Sequence, residues 1–563
     1  MWQRRLPPSV LFATLLYGLM AWIVANNLGL VGEVALGWSA NQPPNVLVSV
    51  SPNLWADGTA QASAGDQFGP LVANQVRPLE QIVVGGQWRL PLAINLYTGG
   101  MPDWPARLLF LLTQSPNTVL VFHVLLGGGL LMLVHRFLWF HGTPAIAGFA
   151  ALLLATDWTF VFYKRALGGT EIALQGALLL CLWGLWSRRW GGGRHGLWPL
   201  ALGAAIGLSA KLTFLVPLVA LLAAAFVLRQ DHAHNQPPTS GHLSAMLAAV
   251  GLIVLPLCIT IAHHRSLGDL PHIRSHDFPN LQLQRVLGAL SGEQGPSREG
   301  MENLLYWLVH PLGFFTPAYG VADTGQPSLW RVLGWLVVLV GSVDGWRDPH
   351  RGPTQALLRL MSVLVPIQVL GLWLVARDLH HLAMLAPMVA IWSGLAIGQL
   401  AGRWAPSRSL RHAGLGVLFA LPWLGANIHT IIRTDAVLDQ IATPTFTAQG
   451  QQALVSMLRT HGVHRLVACD YELYGVLETL APDVTVLHGW GAASHQRGDV
   501  LPELLHLATD GHLLVVQASA PMIYNLRPSR GQLITLANQE GLAVEVVDHL
   551  PDQTAVLYRV WQP

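Results

Sequence analysis

Residues 10–31 read VLFATLLYGLMAWIVANNLGLV and contain no charged side chain. A helix needs roughly 20 mostly apolar residues to cross a bilayer, and this stretch is long enough to do so. Arg4 and Arg5 precede it, as in a signal peptide, but no clean small-residue cleavage site follows it. The stretch therefore predicts a retained membrane helix.

Composition extends this prediction to most of the chain. Only 11% of the 563 residues are charged, against about 25% in soluble domains, and the mean hydropathy is +0.44. Such a chain cannot cover itself with charge, which excludes a cytosolic enzyme, a disordered protein and a fibrous protein. The net charge of +2 gives no basis for nucleic acid as a partner. We therefore expect most of the chain to be surrounded by membrane lipid.

Further apolar stretches bring the expected number of spans to about eleven. Residues 197–228 are too long for one straight span and hold Lys211 near their middle, so two short helices that meet there are expected. The other candidates are residues 118–139, 144–163, 171–186, 243–263, 329–346, 356–376, 380–400 and 413–432.

Basic residues predict the orientation of these spans. With a cytoplasmic N-terminus, the inner loops hold Arg188, Arg347 and Arg403 with neighbouring arginines, as the positive-inside rule requires. Residues 32–117, residues 264–328 and everything after residue 432 then lie outside. We therefore expect a multi-pass protein of the inner (plasma) membrane, with a membrane module over residues 1–432.

The C-terminal part has a different pattern. Short apolar runs, which predict strands, alternate early on with helix-length segments, and no glycine-rich dinucleotide fingerprint is present. The predicted fold is thus an α-helical polytopic membrane protein with a C-terminal extracytoplasmic α/β domain over residues 433–563, periplasmic or extracellular. The expected strands are residues 465–469, 484–487, 513–517, 542–547 and 555–558.

The first outer loop carries candidate catalytic acids. It is far longer than usual connections and rich in tryptophan, which favours a functional segment over a disordered one. A carboxylate at the lipid–water boundary can act as a general base or bind a metal, although any one acid can also be solvated or cap a helix. Asp57 is the leading candidate, because it follows Trp55 and precedes a run of small residues; Glu33 and Glu80 are alternatives.

Five motifs resemble those of the GT-C membrane glycosyltransferases, which include protein O-mannosyltransferases and the aminoarabinose transferases of lipid A. NLWADGTAQ (53–61) is similar to their acidic first-loop motif, although a lone Asp57 stands where the family often has an Asp-Glu pair. The other four occur in the family's order, so that the resemblance covers roughly residues 1–432: WRLPLAINLYTGG (88–100), ATDWTFVFYKR (155–165), GLSAKLTF (207–214) and RDLHHL (377–382).

The resemblance implies sugar transfer from a polyprenyl-phosphate-linked donor at the outer face, to a lipid, glycan or protein acceptor. It implies a hexosyl- or pentosyltransferase that inverts the anomeric centre, with a first-loop acid as base and a second acidic site at Asp157 or Glu171. Cations are expected around the leaving phosphate. The candidates are Lys211, Arg165, Arg377, His380 and His381, of which Arg165 and Arg377 could instead only snorkel at span ends.

Three alternatives stay open at this point. His272 and His276 are spaced i, i+4 and could hold a divalent metal cation, but Pro271 precedes them and 24 histidines make chance pairs common. A transporter or flippase would use Lys211 and Asp157 to line a pathway. A non-catalytic assembly protein would tolerate replacement of Asp57.

Overall fold

The computed structural model describes most of the predicted spans and much of the C-terminal part. The described ranges are 7–27, 81–84, 88–91, 93–95, 98–99, 104–113, 116–165, 169–190, 197–227, 328–348, 352–376, 379–405, 410–438, 448–468, 483–488, 513–517, 530–551 and 555–563, with single residues or pairs between them.

Long helices make up the membrane module. The first is α1 (Pro8–Asn27), and two short hairpins follow it: β1 (Gln81–Val84) with β2 (Trp88–Pro91), and β3 (Ala93–Asn95) with β4 (Thr98–Gly99). The next helices are α2 (Trp104–Thr113), α3 (Pro116–His141), α4 (Pro144–Thr156), α5 (Trp158–Arg165), α6 (Gly169–Trp190), α7 (Leu197–Ala210) and α8 (Leu215–Val227). After them come α9 (Leu329–Arg347), α10 (Pro353–Ala376), α11 (Ala386–Trp404) and α12 (Leu410–Leu438).

Six of the described helices are long and apolar enough to cross a membrane, and four shorter apolar helices accompany them. Each of the ten overlaps a predicted span. The remaining prediction, residues 243–263, lies outside the described residues except for single positions, so the total of eleven stays a prediction. The chain is a multi-pass membrane protein.

Two of the predicted spans are broken by polar residues. Residues 197–228 divide at Lys211 into α7 and α8, which are joined by a 3₁₀ turn (Leu212–Phe214). This break was predicted, because a lysine in the middle of an apolar span is costly. Residues 144–163 divide at Asp157, which the sequence did not predict. The Asp157 backbone N–H bonds Leu154 O at the end of α4, and its Oδ1 accepts the Phe160 N–H at 2.9 Å. Asp157 thus caps α5.

Small residues allow the central helices to pack closely. A Cβ added to Gly341 of α9 would lie 2.5 Å from the Ala396 carbonyl oxygen of α11. Close approach of this kind is typical of membrane helix interfaces, where packing replaces the hydrophobic driving force.

Gly341→Ala is therefore expected to destabilise the bundle, by about 1–3 kcal/mol, because backbone atoms must move to admit the methyl group. Gly129→Ala is the matched control, since a Cβ at Gly129 in α3 meets nothing within 4 Å. Thermal unfolding in detergent measures both variants. Equal melting temperatures would contradict the close α9–α11 contact.

The described C-terminal residues have the predicted α/β character. All five expected strands are present, as β5 (Arg465–Ala468), β6 (Thr485–His488), β7 (Leu513–Gln517), β8 (Ala543–His549) and β9 (Ala555–Trp561). They form one sheet in the order β6-β5-β7-β9-β8. β5, β6 and β7 are parallel, while β9 runs antiparallel to β7 and β8. Helices α13 (Ala448–Thr460) and α14 (Arg530–Gln539) belong to this part, and its placement outside the membrane stays a prediction.

A histidine–carboxylate pair joins α13 to the sheet. His461 Nε2 lies 2.7 Å from Asp548 Oδ2, and Asp548 Oδ1 accepts the His549 N–H at 2.8 Å. The hydrogen bond from His461 and that from the His549 backbone lower the pKa of Asp548 below its usual value. A lowered pKa means that this contribution to stability is present above the unfolded-state pKa and is lost as the pH falls through the folded-state pKa.

Asp548→Asn should therefore lower the stability of the chain at neutral pH. Because asparagine does not titrate, the variant should also lose less stability than the wild type as the pH falls. The effect is expected to be small, since both side chains are partly exposed. Thermal unfolding between pH 3 and pH 7 compares the variant with the wild type. An unchanged pH profile would show that the pair contributes nothing.

Candidate active site

A buried ion pair lies where α7 ends and α6 begins. Lys211 Nζ is 3.7 Å from Glu171 Oε1, and the two side chains are only 3% and 5% exposed. α6 and α7 pack antiparallel to each other, which brings these two residues together. Cys181 Sγ, further along the same contact, lies 3.6 Å from Leu200 O. We refer to this end of the helices as the Lys211 end of the bundle.

The glycine and phenylalanine of the GLSAKLTF motif position Lys211. The Lys211 N–H bonds Gly207 O in the last turn of α7, and its carbonyl oxygen accepts the Phe214 N–H. A Cβ at Gly207 would overlap the Phe214 ring, so only glycine lets this ring fold back onto α7. The motif therefore stabilises the helix break that carries the lysine.

Two buried polar atoms, one in the ion pair and one two residues after Lys211 in sequence, have unused hydrogen-bonding capacity. Glu171 Oε2 and Thr213 Oγ1 are buried and have no hydrogen-bond partner among the described residues. Buried polar atoms are otherwise almost always satisfied, by protein, water or ligand. A polar ligand at the ion pair would find a cation and a carboxylate.

A 3₁₀ turn, Leu379–Leu385, lies at the same end. It packs against α5, α6, α10 and α11, and Gln175 Nε2 of α6 donates a hydrogen bond of 2.8 Å to Ala383 O. The turn brings the backbone of His380 and His381 to the helices that hold Glu171 and Arg165. The side chains of Arg165, His380 and His381 are not among those described.

Arg331 is a candidate that the sequence did not single out. It lies in the first turn of α9, where its N–H bonds the capping Ser328 Oγ, and it is close enough to Asp157 for a favourable Coulomb interaction. Its Nε atom is shielded from solvent. The available signal was a basic residue inside the predicted span 329–346, which is costly in lipid unless it faces other polar groups.

The other predicted site residues lie outside the described residues. These are Glu33, Asp57, Glu80, His272, His276 and Arg377. The described residues include no group of three or more His, Cys, Asp or Glu that could hold a metal ion. The first-loop base and the use of a divalent cation therefore stay predictions.

No protein-family model and no curated protein sequence matches the chain. Solved structures do match. The apo crystal structure of ArnT from Cupriavidus metallidurans aligns with a TM-score of 0.52 over 98% of this chain and 97% of that chain, at 12% identity. ArnT from the same organism bound to undecaprenyl phosphate gives a TM-score of 0.50 at 11% identity, with the same coverage.

The likeness to ArnT extends over nearly the full length of both chains. The chain therefore shares the fold of ArnT. This confirms, at the level of fold, the resemblance that the five sequence motifs carry.

Proposed function

We propose that this protein is a glycosyltransferase that moves a sugar from a polyprenyl-phosphate-linked donor to an acceptor at the outer face of the membrane. The observation that carries this proposal is the buried Lys211–Glu171 pair at a helix break within the fold shared with ArnT. The solved structure of ArnT with undecaprenyl phosphate supports the choice of lipid. The acceptor is a lipid, a glycan or a protein.

Lys211 would hold the phosphate of the donor. The leaving group gains negative charge as the bond to the sugar breaks, and a cation fixed in a dry site stabilises that charge. The buried ion pair keeps a charged lysine in place before the donor arrives, with Glu171 as its counter-ion. Thr213 Oγ1 would donate a further hydrogen bond to a phosphate oxygen.

The second acidic site has two candidates with different surroundings. Asp157 caps α5 and interacts favourably with the charge of Arg331, whereas Glu171 forms an ion pair with Lys211. We assign Glu171 to the charge balance of the phosphate site and Asp157 to holding the α4–α5 break and Arg331. Arg165, Arg377, His380 and His381 would supply further contacts to the phosphate.

A first-loop carboxylate would activate the acceptor. In the proposed step Asp57 removes the proton from an acceptor hydroxyl (or amine), the freed electron pair attacks the anomeric carbon, and the bond from that carbon to the phosphate oxygen breaks. One displacement inverts the anomeric centre and leaves polyprenyl phosphate as the second product. Glu33 and Glu80 are the alternative bases.

The alternative function is a flippase or transporter. The observation that favours it is the broken helix α7–α8 with a charged pair at the break, since broken helices carry binding sites in many transporters. The likeness to ArnT over nearly the full length of both chains favours sugar transfer over transport.

Purified protein in lipid vesicles separates the two functions. It is given a panel of radiolabelled polyprenyl-phosphate sugars together with a membrane extract as the source of acceptor. Transfer of label and release of polyprenyl phosphate are the expected result. Movement of intact donor across the bilayer without cleavage would overturn the proposal and establish the flippase.

A further inference from the structure

A buried glutamine ties the 3₁₀ turn Leu379–Leu385 to α6. Gln175 is fully buried, and its Nε2 donates the 2.8 Å hydrogen bond to Ala383 O. Pro387 has no N–H group, so the Ala383 carbonyl cannot receive the usual α-helical hydrogen bond from four residues along the chain. A buried carbonyl group without a partner is costly. The Gln175 amide therefore supplies a partner that the start of α11 cannot provide in the α-helical pattern.

Gln175 lies on the same side of α6 as the acid of the ion pair. It follows Glu171 by four residues, which is about one helical turn, and both side chains are buried. Glu171 Oε1 lies 3.7 Å from Lys211 Nζ. One side of α6 thus carries both the counter-ion of the lysine and the tether of the turn. The Gln175 hydrogen bond therefore helps to fix the position of the turn relative to the ion pair.

The tethered turn carries the two histidines of the RDLHHL motif. The backbone of His380 and His381 belongs to the turn, and His380 precedes Ala383 by three residues. Residues three apart in a 3₁₀ helix lie one above the other, so the oxygen that Gln175 holds is one turn from the His380 backbone. Misplacement by about 1 Å of a group that positions the substrate can cost roughly 10²-fold in rate. Loss of the tether should therefore affect a phosphate that the histidines contact.

We propose that Gln175 is a positioning residue for the donor phosphate, which it does not itself contact. It holds the turn Leu379–Leu385 at the Lys211 end of the bundle, so that the two histidines meet the phosphate. This assignment rests on the proposed function, in which Lys211, His380 and His381 contact the phosphate of the donor.

Binding of undecaprenyl phosphate to the full chain in lipid nanodiscs tests this role. Gln175→Met keeps the size of the side chain and removes the amide, whereas Gln175→Asn keeps the amide on a shorter side chain. Ser342→Ala is the matched control, because it removes another buried hydrogen bond between helices, the one of 2.8 Å from Trp392 Nε1. Ser342 belongs to α9, whereas the turn packs against α5, α6, α10 and α11. Melting temperatures are measured on the same samples.

Both Gln175 variants should bind undecaprenyl phosphate about tenfold more weakly than the wild type, which corresponds to about one net hydrogen bond. Ser342→Ala should lower the melting temperature by a similar amount but bind as tightly as the wild type. Wild-type affinity in a folded Gln175 variant would overturn the proposal. Equal weakening by Ser342→Ala would also overturn it, because the effect would then be a general loss of packing.

A double-mutant cycle tests whether Gln175 acts through the histidines. His380→Ala with His381→Ala should weaken binding of undecaprenyl phosphate. Addition of Gln175→Met to this double variant should weaken binding little further, since residues that act through one contact are not additive. Full additivity would show that Gln175 does not act through the two histidines and would overturn the proposal.

Lys211→Ala in the same assay keeps this role separate from the proposed function. Binding by the wild type and weaker binding by Lys211→Ala establish the donor site, and an unaffected Gln175→Met variant then overturns the role of Gln175 alone. No binding by the wild type, or equal binding by Lys211→Ala, would overturn the donor site itself, and the role of Gln175 with it.

Discussion

Lys211→Ala is expected to lower the rate of sugar transfer by about 10²–10³-fold, the usual cost of removing one fixed group that stabilises developing negative charge. The same change leaves the Glu171 carboxylate buried without its cation, which typically costs about 3–5 kcal/mol of stability. Loss of activity in this variant alone would therefore have two explanations.

A double variant separates them. Lys211→Met with Glu171→Gln removes both charges at similar volume, so the stability should return towards that of the wild type. The rate of transfer should stay low, because the phosphate still lacks its cation. Transfer rates and melting temperatures are measured on the same samples. Recovery of activity together with stability would show that Lys211 is only structural.

Asp57→Asn is the second large effect. A general base typically contributes 10²–10⁴-fold, and asparagine keeps the size of the side chain but cannot accept the acceptor proton. The catalytic rate should fall by about this factor, while the affinity for undecaprenyl phosphate stays unchanged because Asp57 does not contact the phosphate in the proposed step.

Glu33→Gln and Glu80→Gln are the matched controls, since both remove a carboxylate from the same predicted loop. Each should keep most of the activity. An active Asp57→Asn variant beside an inactive Glu33 or Glu80 variant would move the base to that residue. Full activity in all three would remove the first loop from the chemistry.

Hydropathy and strand alternation predicted much of the architecture. The spans follow from apolar length, and the break at Lys211 follows from the cost of a buried cation. The five strands follow from short apolar runs between polar segments. Their order does not, because sequence alone could not show that β7 enters between β5 and β9.

Some residues of the candidate site were predictable one by one, but their arrangement was not. Lys211 and Glu171 were both singled out, yet their contact depends on how α6 packs against α7. Asp157 was noted as an acid, but its capping role depends on a helix break without a glycine or proline signal. Arg331 was not singled out, because it lies inside a predicted span. It is far from Asp157 in sequence, so their interaction could not be predicted.

The most direct test of the central claim is an experimental structure of the protein in a lipid nanodisc with undecaprenyl phosphate. The expected result is a phosphate group about 3 Å from Lys211 Nζ, with a phosphate oxygen accepting from the Thr213 hydroxyl. A phosphate bound away from the Lys211 end of the bundle, with the Lys211–Glu171 pair unchanged, would contradict the assignment of this site to the donor.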